Sequence, residues 1–536
     1  MWNILLCLVT ASTQVTLVDE LEPIYPDHPP VQLEQLLLDV PKGGVAAVHL
    51  VIDDCVQGVP VEIVCTGPGL PSPLRYTLLD VPVEENTGPE SRTERWDKAE
   101  NPHVIREAPF RVYEVLRPIN ETLSPDQPRV VYRLEWRIPT EATAGTYPVE
   151  IDWSQGERRG EHHLELAIHN VQLPAPGSET LGYTNWFSPN LIAKWHDLPL
   201  WSDAHFEMMR RYAKLMVHGR QNMFWIRWPD FFQKQDGAWV LDAQRLRRYV
   251  NVFSDAGLYW LEGAPFAGRP GGDWSSSQLE LKIGKQLMTS PEGQLAFADQ
   301  ARQMRAVIDA EDWGGRWVQH IADEPTDTNA SDYTVASEMV RMHLGDLPTF
   351  EATMTRSLVG AVDMWCPQVQ EWQANRDFFD ERQRDGDRVW VYTCLRPGGP
   401  WLNRLLDQER LRQVYFGWGA AKEGWDGYLH WGFNHWKADP FTQSVVDHPA
   451  MPKTDNRLPA GDTHVVYPGL EEPWSGLRFE AHRIGLEDHA LLQMLRAEQS
   501  EAIIDTVYRA ADDWDGSVSK YRAARRQLLQ AASEQP

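Results

Sequence analysis

The stretch His320-Ile321-Ala322-Asp323-Glu324-Pro325 holds the chain's clearest combination of groups able to do chemistry. Two neighbouring carboxyls follow a histidine by three and four residues, and the proline behind them favours the end of an extended segment. Successive side chains of a strand point to opposite faces, so adjacent acids cannot aim at one atom. At a strand end, one can face inward while the other leans over the rim, and the two then serve different atoms of one bound molecule. Glycosidic bonds are commonly cleaved by two carboxyls, set about 5–5.5 Å apart for retention or about 6.5–9.5 Å for inversion. Adjacent residues suit those spacings poorly. They suit a sugar that carries its own nucleophile, the oxygen of a 2-acetamido group. Asp323 would orient the acetamido N–H and stabilise the positive charge of an oxazolinium intermediate, while Glu324 would protonate the leaving oxygen and then act as base toward water. For that role Glu324 needs a raised pKa, from partial burial and its negative neighbour. As a bare string, Asp-Glu-Pro signals little, so its position in the fold decides.

Beyond residue 180, short apolar segments alternate with longer amphipathic ones, the pattern of βα units on a parallel sheet. Strands are expected near residues 182–187, 222–226, 259–262, 317–321, 350–353, 362–365, 389–393 and 427–433, with helices over Ala204–Val217, Leu241–Ala256, Gly293–Ala310 and Asp332–Leu344. Eight strands predict a (β/α)8 TIM-like barrel. An open doubly wound sheet is disfavoured because no glycine-rich dinucleotide turn follows a strand. In such a barrel the site lies at the C-terminal strand ends, which places Asp323 and Glu324 at the end of the fourth strand. Other strand ends offer Trp186, Trp225, Trp228, Glu262, Trp365, Tyr392, Trp431, Asn434, His435 and Trp436. Aromatics there could line a sugar subsite and Asn434 or His435 could bind hydroxyls, although for any single Trp core packing weighs level with ligand stacking. For His320, a buried hydrogen-bonded role and a site role weigh equally.

Residues 1–175 read as strand after strand, separated by turn formers such as Gly43-Gly44 and Gly67-Pro68-Gly69, which predicts an antiparallel β-sandwich. The segment Leu173-Pro174-Ala175-Pro176-Gly177-Ser178 is a natural linker, so the expected domains are 1–175, a barrel over 180–450, and a mostly helical segment over 451–536 packing on the barrel. The length of 536 residues supports more than one core. A net charge of −26 disfavours nucleic acid and anionic lipid surfaces, and no apolar run approaches the roughly 20 residues of a membrane span. Five cysteines without metal-ligand spacing predict neither a zinc site nor a disulfide framework, leaving open a bond between Cys55 and Cys65. No cofactor is expected. The run Ile4-Leu5-Leu6-Cys7-Leu8-Val9 lacks a basic flank and is read as a strand rather than a leader, which leaves the compartment open. Oligomeric state has no signature in the sequence.

The order of β-rich segment, barrel, Asp323-Glu324-Pro325, Trp431-Gly432-Phe433-Asn434-His435-Trp436, Gly461-Asp462 with Tyr467-Pro468-Gly469, Arg478-Phe479-Glu480 and Arg483-Ile484-Gly485-Leu486-Glu487-Asp488 resembles glycoside hydrolase family 123 and the wider group sharing its catalytic domain. The resemblance spans nearly the whole chain. It implies a retaining β-N-acetylgalactosaminidase acting by substrate assistance on an oligosaccharide or glycoconjugate, with Asp323 as the acetamido-orienting acid and Glu324 as the general acid. The spacing His320-x-x-Asp323-Glu324 is also similar to the strand-four motif of family 20 hexosaminidases. Two other readings stand beside it. One is a glycosidase with a separate nucleophile, Glu262 or Glu351, acting on a sugar without an acetamido group. The other is a non-catalytic carbohydrate-binding protein that keeps the fold.

Overall fold

The structure, a computed structural model, describes residues 15–120 and 122–535. The run Ile4–Val9 lies outside the described residues. The chain is a mixed α/β, multidomain protein that packs into two compact units. Their division differs from the three consecutive segments expected. Residues 83–110 belong with the larger unit, and residues from Gly516 onward belong with the smaller one.

In the smaller unit, strands Val15–Asp19, Val45–Ile52, Val130–Arg137, Leu74–Val83 and Phe110–Pro118 form one sheet in that order. Leu37–Lys42, Arg158–Gln172, Gly145–Gln155 and Val61–Thr66 form another. The pairings Leu37–Lys42 with Arg158–Gln172 run parallel, a departure from the all-antiparallel expectation. Leu17, Val48, Leu50 and Trp136 of the first sheet share one apolar core with Val40, Ile63, Ile151, Trp153 and Leu166 of the second. Cys55 and Cys65 are free thiols; the Cys55 thiol donates to the Ile52 carbonyl (3.5 Å). The C-terminal helix Val518–Ser533 is bound here by ion pairs, Arg522 to Asp19 (2.8 Å) and Arg526 to Asp39 (2.8 Å), which explains why it leaves the segment it was expected to join.

The larger unit contains the eight expected strands: β1 (Gly182–Asn185), β2 (Met223–Ile226), β3 (Trp260–Gly263), β4 (Trp317–Gln319), β5 (Phe350–Ala352), β6 (Met364–Cys366), β7 (Arg388–Thr393) and β8 (Gly427–His430). Parallel ladders join β2 to β3, β3 to β4, β5 to β6, β6 to β7, β7 to β8 and β8 to β1. A parallel bridge from Gln319 to Thr349 connects β4 with the start of β5, and the Asn222 amide donates to the Tyr183 carbonyl (3.3 Å) between β2 and β1. The expected helices are Asp203–His218, Ala243–Ala256, Pro291–Ala310 and Ala330–Leu344. Ser202, Asp242 and Ser290 cap the first three through side-chain oxygens. Residues 83–110 are tied to this unit through Asp407, whose carboxylate accepts from the Thr87 amide (2.6 Å) and hydroxyl (2.8 Å). Among the described residues no helix is long and apolar enough to cross a membrane, and no group of three or more His, Cys, Asp or Glu could hold a metal ion.

Candidate active site

Side-chain parity along the eight strands determines what reaches the site. Met223, Val318, Phe350, Ala352, Met364, Cys366, Trp390, Tyr392 and Leu429 form one cluster, with Trp186 and Trp260 against it. Alternate residues therefore point inward, and the same parity carries Thr184, Trp225, Glu262 and His320 to the inner side near the C-terminal strand ends.

There, His320 is held between two buried carboxylates. Its Nε2 lies 2.9 Å from Glu262 Oε1 and its Nδ1 lies 3.5 Å from Glu351 Oε2. Burial favours the neutral ring, but the two carboxylate partners outweigh it and push His320 up to about 9. The imidazole is thus cationic at neutral pH and donates from both nitrogens. Glu262 also accepts from the Trp186 indole (2.7 Å) and the Thr184 hydroxyl (2.5 Å). Glu351 accepts from the Ile321 and Ala322 amides (2.5 and 3.0 Å) and from the Tyr333 hydroxyl (2.9 Å). Each carboxylate is fully enclosed and occupied by donors, so both serve as struts for the segment leading to Asp323.

The acid pair lies beyond the strand rather than on it. The β4 ladder ends at Gln319, Ala322 makes one more bridge, to Ala267, and Asp323 and Glu324 form a bend. Glu324 has a left-handed backbone (φ +47°), a conformation that costs a non-glycine residue on the order of 1–3 kcal/mol and persists only where surroundings enforce it. Water reaches Asp323 freely and Glu324 in part, although protein atoms crowd both carboxyls. That is the condition of side chains lining an open hollow. Burial, then the negative charge of Asp323, pushes Glu324 up to about 7. Burial also raises Asp323, against the nearby cations His320, Lys282 and Arg269. The Tyr392 hydroxyl donates to Glu324 Oε1, and a second contact places it 3.2 Å from the Met354 sulfur. The environments therefore differ: His320, Lys282 and Arg269 favour the anion at Asp323, whereas Glu324 has that anion against it, opposed by the Tyr392 phenol and the charges of Arg269 and Arg396.

Of the other expected site residues, Trp186 and Trp225 come together. Their rings stack at 4.2 Å and meet the His320 ring edge-on at 5.6 and 5.4 Å. Trp431 is half-buried beside His435 (5.3 Å), and burial holds His435 near 3, hence neutral. Four residues are engaged elsewhere. Trp365 points outward, because its neighbours Met364 and Cys366 point in; it packs on Phe378 and donates to Asp387 (2.9 Å). Asn434 is buried and holds the Ser188 backbone at both ends, accepting from its amide (2.8 Å) and donating to its carbonyl (3.2 Å). Trp436 donates to the Val466 carbonyl (2.9 Å) and lies against Trp195 and Tyr212. Trp228 is buried between Phe266 and Trp317.

The later motifs are structural supports. Arg404, fully enclosed, donates to Asn185 Oδ1 (2.6 Å), His430 Nδ1 (2.5 Å) and the Gly432 carbonyl. The Gly432 amide also donates to His430 Nδ1 (3.0 Å), so the His430 proton sits on Nε2, 3.5 Å from Asp462. Arg478 donates to the carbonyls of Arg404, Gly461 and His464 at 2.8–2.9 Å. Arg483 pairs with Glu480 (2.8 Å) and Glu487 (2.6 Å) inside helix Leu477–Leu492. Sequence reasoning missed Arg269, whose guanidinium donates to the carbonyl oxygens of both Asp323 and Glu324. It also missed Lys282, Tyr333 and Arg404. None of these lies at a C-terminal end of β1–β8, the positions that the barrel pattern singles out.

Residues 186–495 match the family model described as Glycoside hydrolase 123, catalytic domain. Among solved structures, the chain is similar to a family 123 glycoside hydrolase from Clostridium perfringens studied for glycolipid glycan hydrolysis. The TM-score is 0.75 at 12% identity, over 98% of this chain and 99% of that one. A CBM22–GH10 xylanase fragment from Clostridium thermocellum is far less similar, with a TM-score of 0.36 at 8% identity over 88% and 93% of the two chains. No curated protein matches the sequence. With more than half its length inside the family's catalytic domain, the chain belongs to glycoside hydrolase family 123 and is a glycosidase.

Proposed function

We propose that this glycosidase is a retaining β-N-acetylgalactosaminidase that works by substrate assistance. The observation that carries the reading is the unequal treatment of four carboxyls. Glu262 and Glu351 are enclosed and occupied by donors around His320, while Asp323 and Glu324 stand at the hollow, one beside cations and one raised to about 7. A separate protein nucleophile at Glu262 or Glu351 would have to break those hydrogen bonds and reach past His320.

In the proposed reaction, the substrate's acetamido oxygen attacks its own anomeric carbon as the glycosidic bond breaks, and Glu324 gives its proton to the departing oxygen. Asp323 accepts a hydrogen bond from the acetamido N–H and offsets the charge of the oxazolinium ring. Glu324, now a carboxylate, takes a proton from water as that water attacks the anomeric carbon and displaces the acetamido oxygen, reopening the ring, and two inversions give net retention. Tyr392 orients Glu324, and Trp186, half-buried and backed by Trp225, offers aromatic surface to the sugar ring. The glycolipid glycan context of the Clostridium perfringens relative supports a glycoconjugate substrate.

For the scaffold, we propose a closed (β/α)8 barrel, with the two β-rich sheets of the smaller unit forming a sandwich. Neighbour-to-neighbour links among all eight strands and the shared core of the two sheets support this.

The test is hydrolysis of aryl β-N-acetylgalactosaminide, β-N-acetylglucosaminide and β-galactoside by wild type, Asp323→Asn and Glu324→Gln. The galactosaminide should be the best substrate and the galactoside should not be cleaved. Glu324→Gln should lose about 10²–10⁴-fold in kcat when the leaving group needs protonation. Equal cleavage of the galactoside would favour the separate-nucleophile reading.

A further inference from the structure

Arg269 and Trp274 lie on the loop that follows β3, at the end of the strands where the acid pair sits. The loop is fastened beside that pair: Ala267 bridges Ala322, and its amide donates to the Ile321 carbonyl (3.0 Å). From the next position but one, Arg269 reaches the carbonyls of Asp323 (3.1 Å) and Glu324. A planar guanidinium can hold two acceptors at once in fixed geometry, which a lysine cannot. It thereby grips the peptide on which Glu324 keeps its left-handed backbone.

The same guanidinium is stacked on Trp274, with 3.9 Å from its carbon to the ring centroid. Pro270 and two left-handed glycines, Gly271 and Gly272 (φ +60° and +73°), turn the loop so that Trp274 stands at the surface, 53% exposed. Asp273 fixes the next turn by accepting from the Ser275 amide (2.9 Å) and hydroxyl (2.8 Å). An indole with one face on a cation and the rest open to water is a platform for the apolar face of a second ring. Lys282, whose amide donates to the Phe266 carbonyl (2.7 Å) and whose ammonium lies over Gly268, keeps a further positive charge near Asp323.

We propose that Trp274 and Arg269 form the leaving-group subsite: Trp274 stacks against the sugar on the far side of the scissile bond, and Arg269 beneath it positions the acid that protonates that sugar's oxygen. This rests on the reading of Glu324 as the general acid. It assigns Trp274 a binding role and Arg269 a positioning role, through the backbone carbonyls rather than by contact with substrate.

The experiment compares a β-linked N-acetylgalactosaminyl disaccharide with N-acetyl-β-galactosaminyl fluoride, which has no sugar to stack. For Trp274→Ala, the ratio of disaccharide to fluoride kcat/KM should fall about tenfold, in line with the loss of one stacking contact. For Arg269→Ala, kcat should fall at least about tenfold on the disaccharide with KM moving less, and should fall less on the fluoride, whose departure needs little protonation. Arg269→Lys, which keeps the charge and loses the fork, should keep the wild-type pH dependence of kcat/KM but should not restore kcat. An unchanged substrate ratio in Trp274→Ala overturns the subsite, and wild-type kcat in Arg269→Lys overturns the positioning role. Glu324→Gln separates these outcomes from failure of the underlying reading. If it cleaves the disaccharide as well as wild type, Glu324 is not the acid, whatever the loop variants do.

Discussion

Asp323 and Glu324 are adjacent carboxylic acids, and their surroundings separate them. His320, itself charged because Glu262 and Glu351 hold it up to about 9, joins Lys282 and Arg269 in favouring the anion at Asp323. Glu324 has burial and its negative neighbour against ionisation, opposed by the Tyr392 hydroxyl and the charges of Arg269 and Arg396. A group whose pKa is raised to about 7 is a competent acid below that pH and is lost as a proton donor above it. Activity should therefore fall as pH rises through about 7. Because the Tyr392 hydrogen bond favours the carboxylate form, Tyr392→Phe should move that basic limb upward, by on the order of half to one pH unit. The check is the pH dependence of kcat/KM for both proteins. A limb that moves down would mean that Tyr392 stabilises the protonated acid instead. The acid pair itself could be read from the sequence, but the groups that differentiate it could not. Arg269 lies 54 residues upstream of Asp323 in the chain, and no local pattern joins the two.

At the level of strands and helices, periodicity located all eight parallel strands and four of the helices within a few residues, since alternation of apolar segments survives in the sequence. Parity was harder to read. A three-residue strand such as β6 offers Met364, Trp365 and Cys366, all apolar, and nothing in that run says which of them faces in. The structure turns Met364 and Cys366 inward, so Trp365 goes to the helical side. The partners of Asn434 and Trp436 are hidden from the sequence for a related reason. They follow β8 in a segment whose polar groups are consumed by backbone partners that only the fold brings near. The Gly485 of the late motif has a clearer cause. Helices Leu411–Glu423 and Leu477–Leu492 cross so closely that a Cβ on Gly417 would lie 1.9 Å from the Gly485 carbonyl oxygen, and one on Gly485 would lie 2.3 Å from the Val414 carbonyl oxygen. Gly417→Ala should thus force the helices apart and lower stability by about 1–3 kcal/mol, read from chemical denaturation. An unchanged denaturation midpoint would show that the pair can separate without cost.

Across the whole molecule, the chain combines a family 123 catalytic domain with β-rich sheets whose core is separate from it. Its boundaries escape a linear reading because tertiary bonds reassign two segments: Asp407 claims Thr87 for the larger unit, and Asp19 claims Arg522 for the smaller one. Family membership fixes the reaction class, while the choice of nucleophile depends on four carboxyls and their neighbours. That choice is tested most directly by making the substrate's own nucleophile weaker without touching the enzyme. Aryl N-acetyl-β-galactosaminides in which the acetyl group carries zero, one, two or three fluorines have progressively less nucleophilic acetamido oxygens. If that oxygen attacks the anomeric carbon between Asp323 and Glu324, kcat/KM should fall steeply along the series, by several orders of magnitude in all. A flat series, with the trifluoroacetyl substrate cleaved as fast as the parent, would contradict substrate assistance and return the nucleophile to the protein.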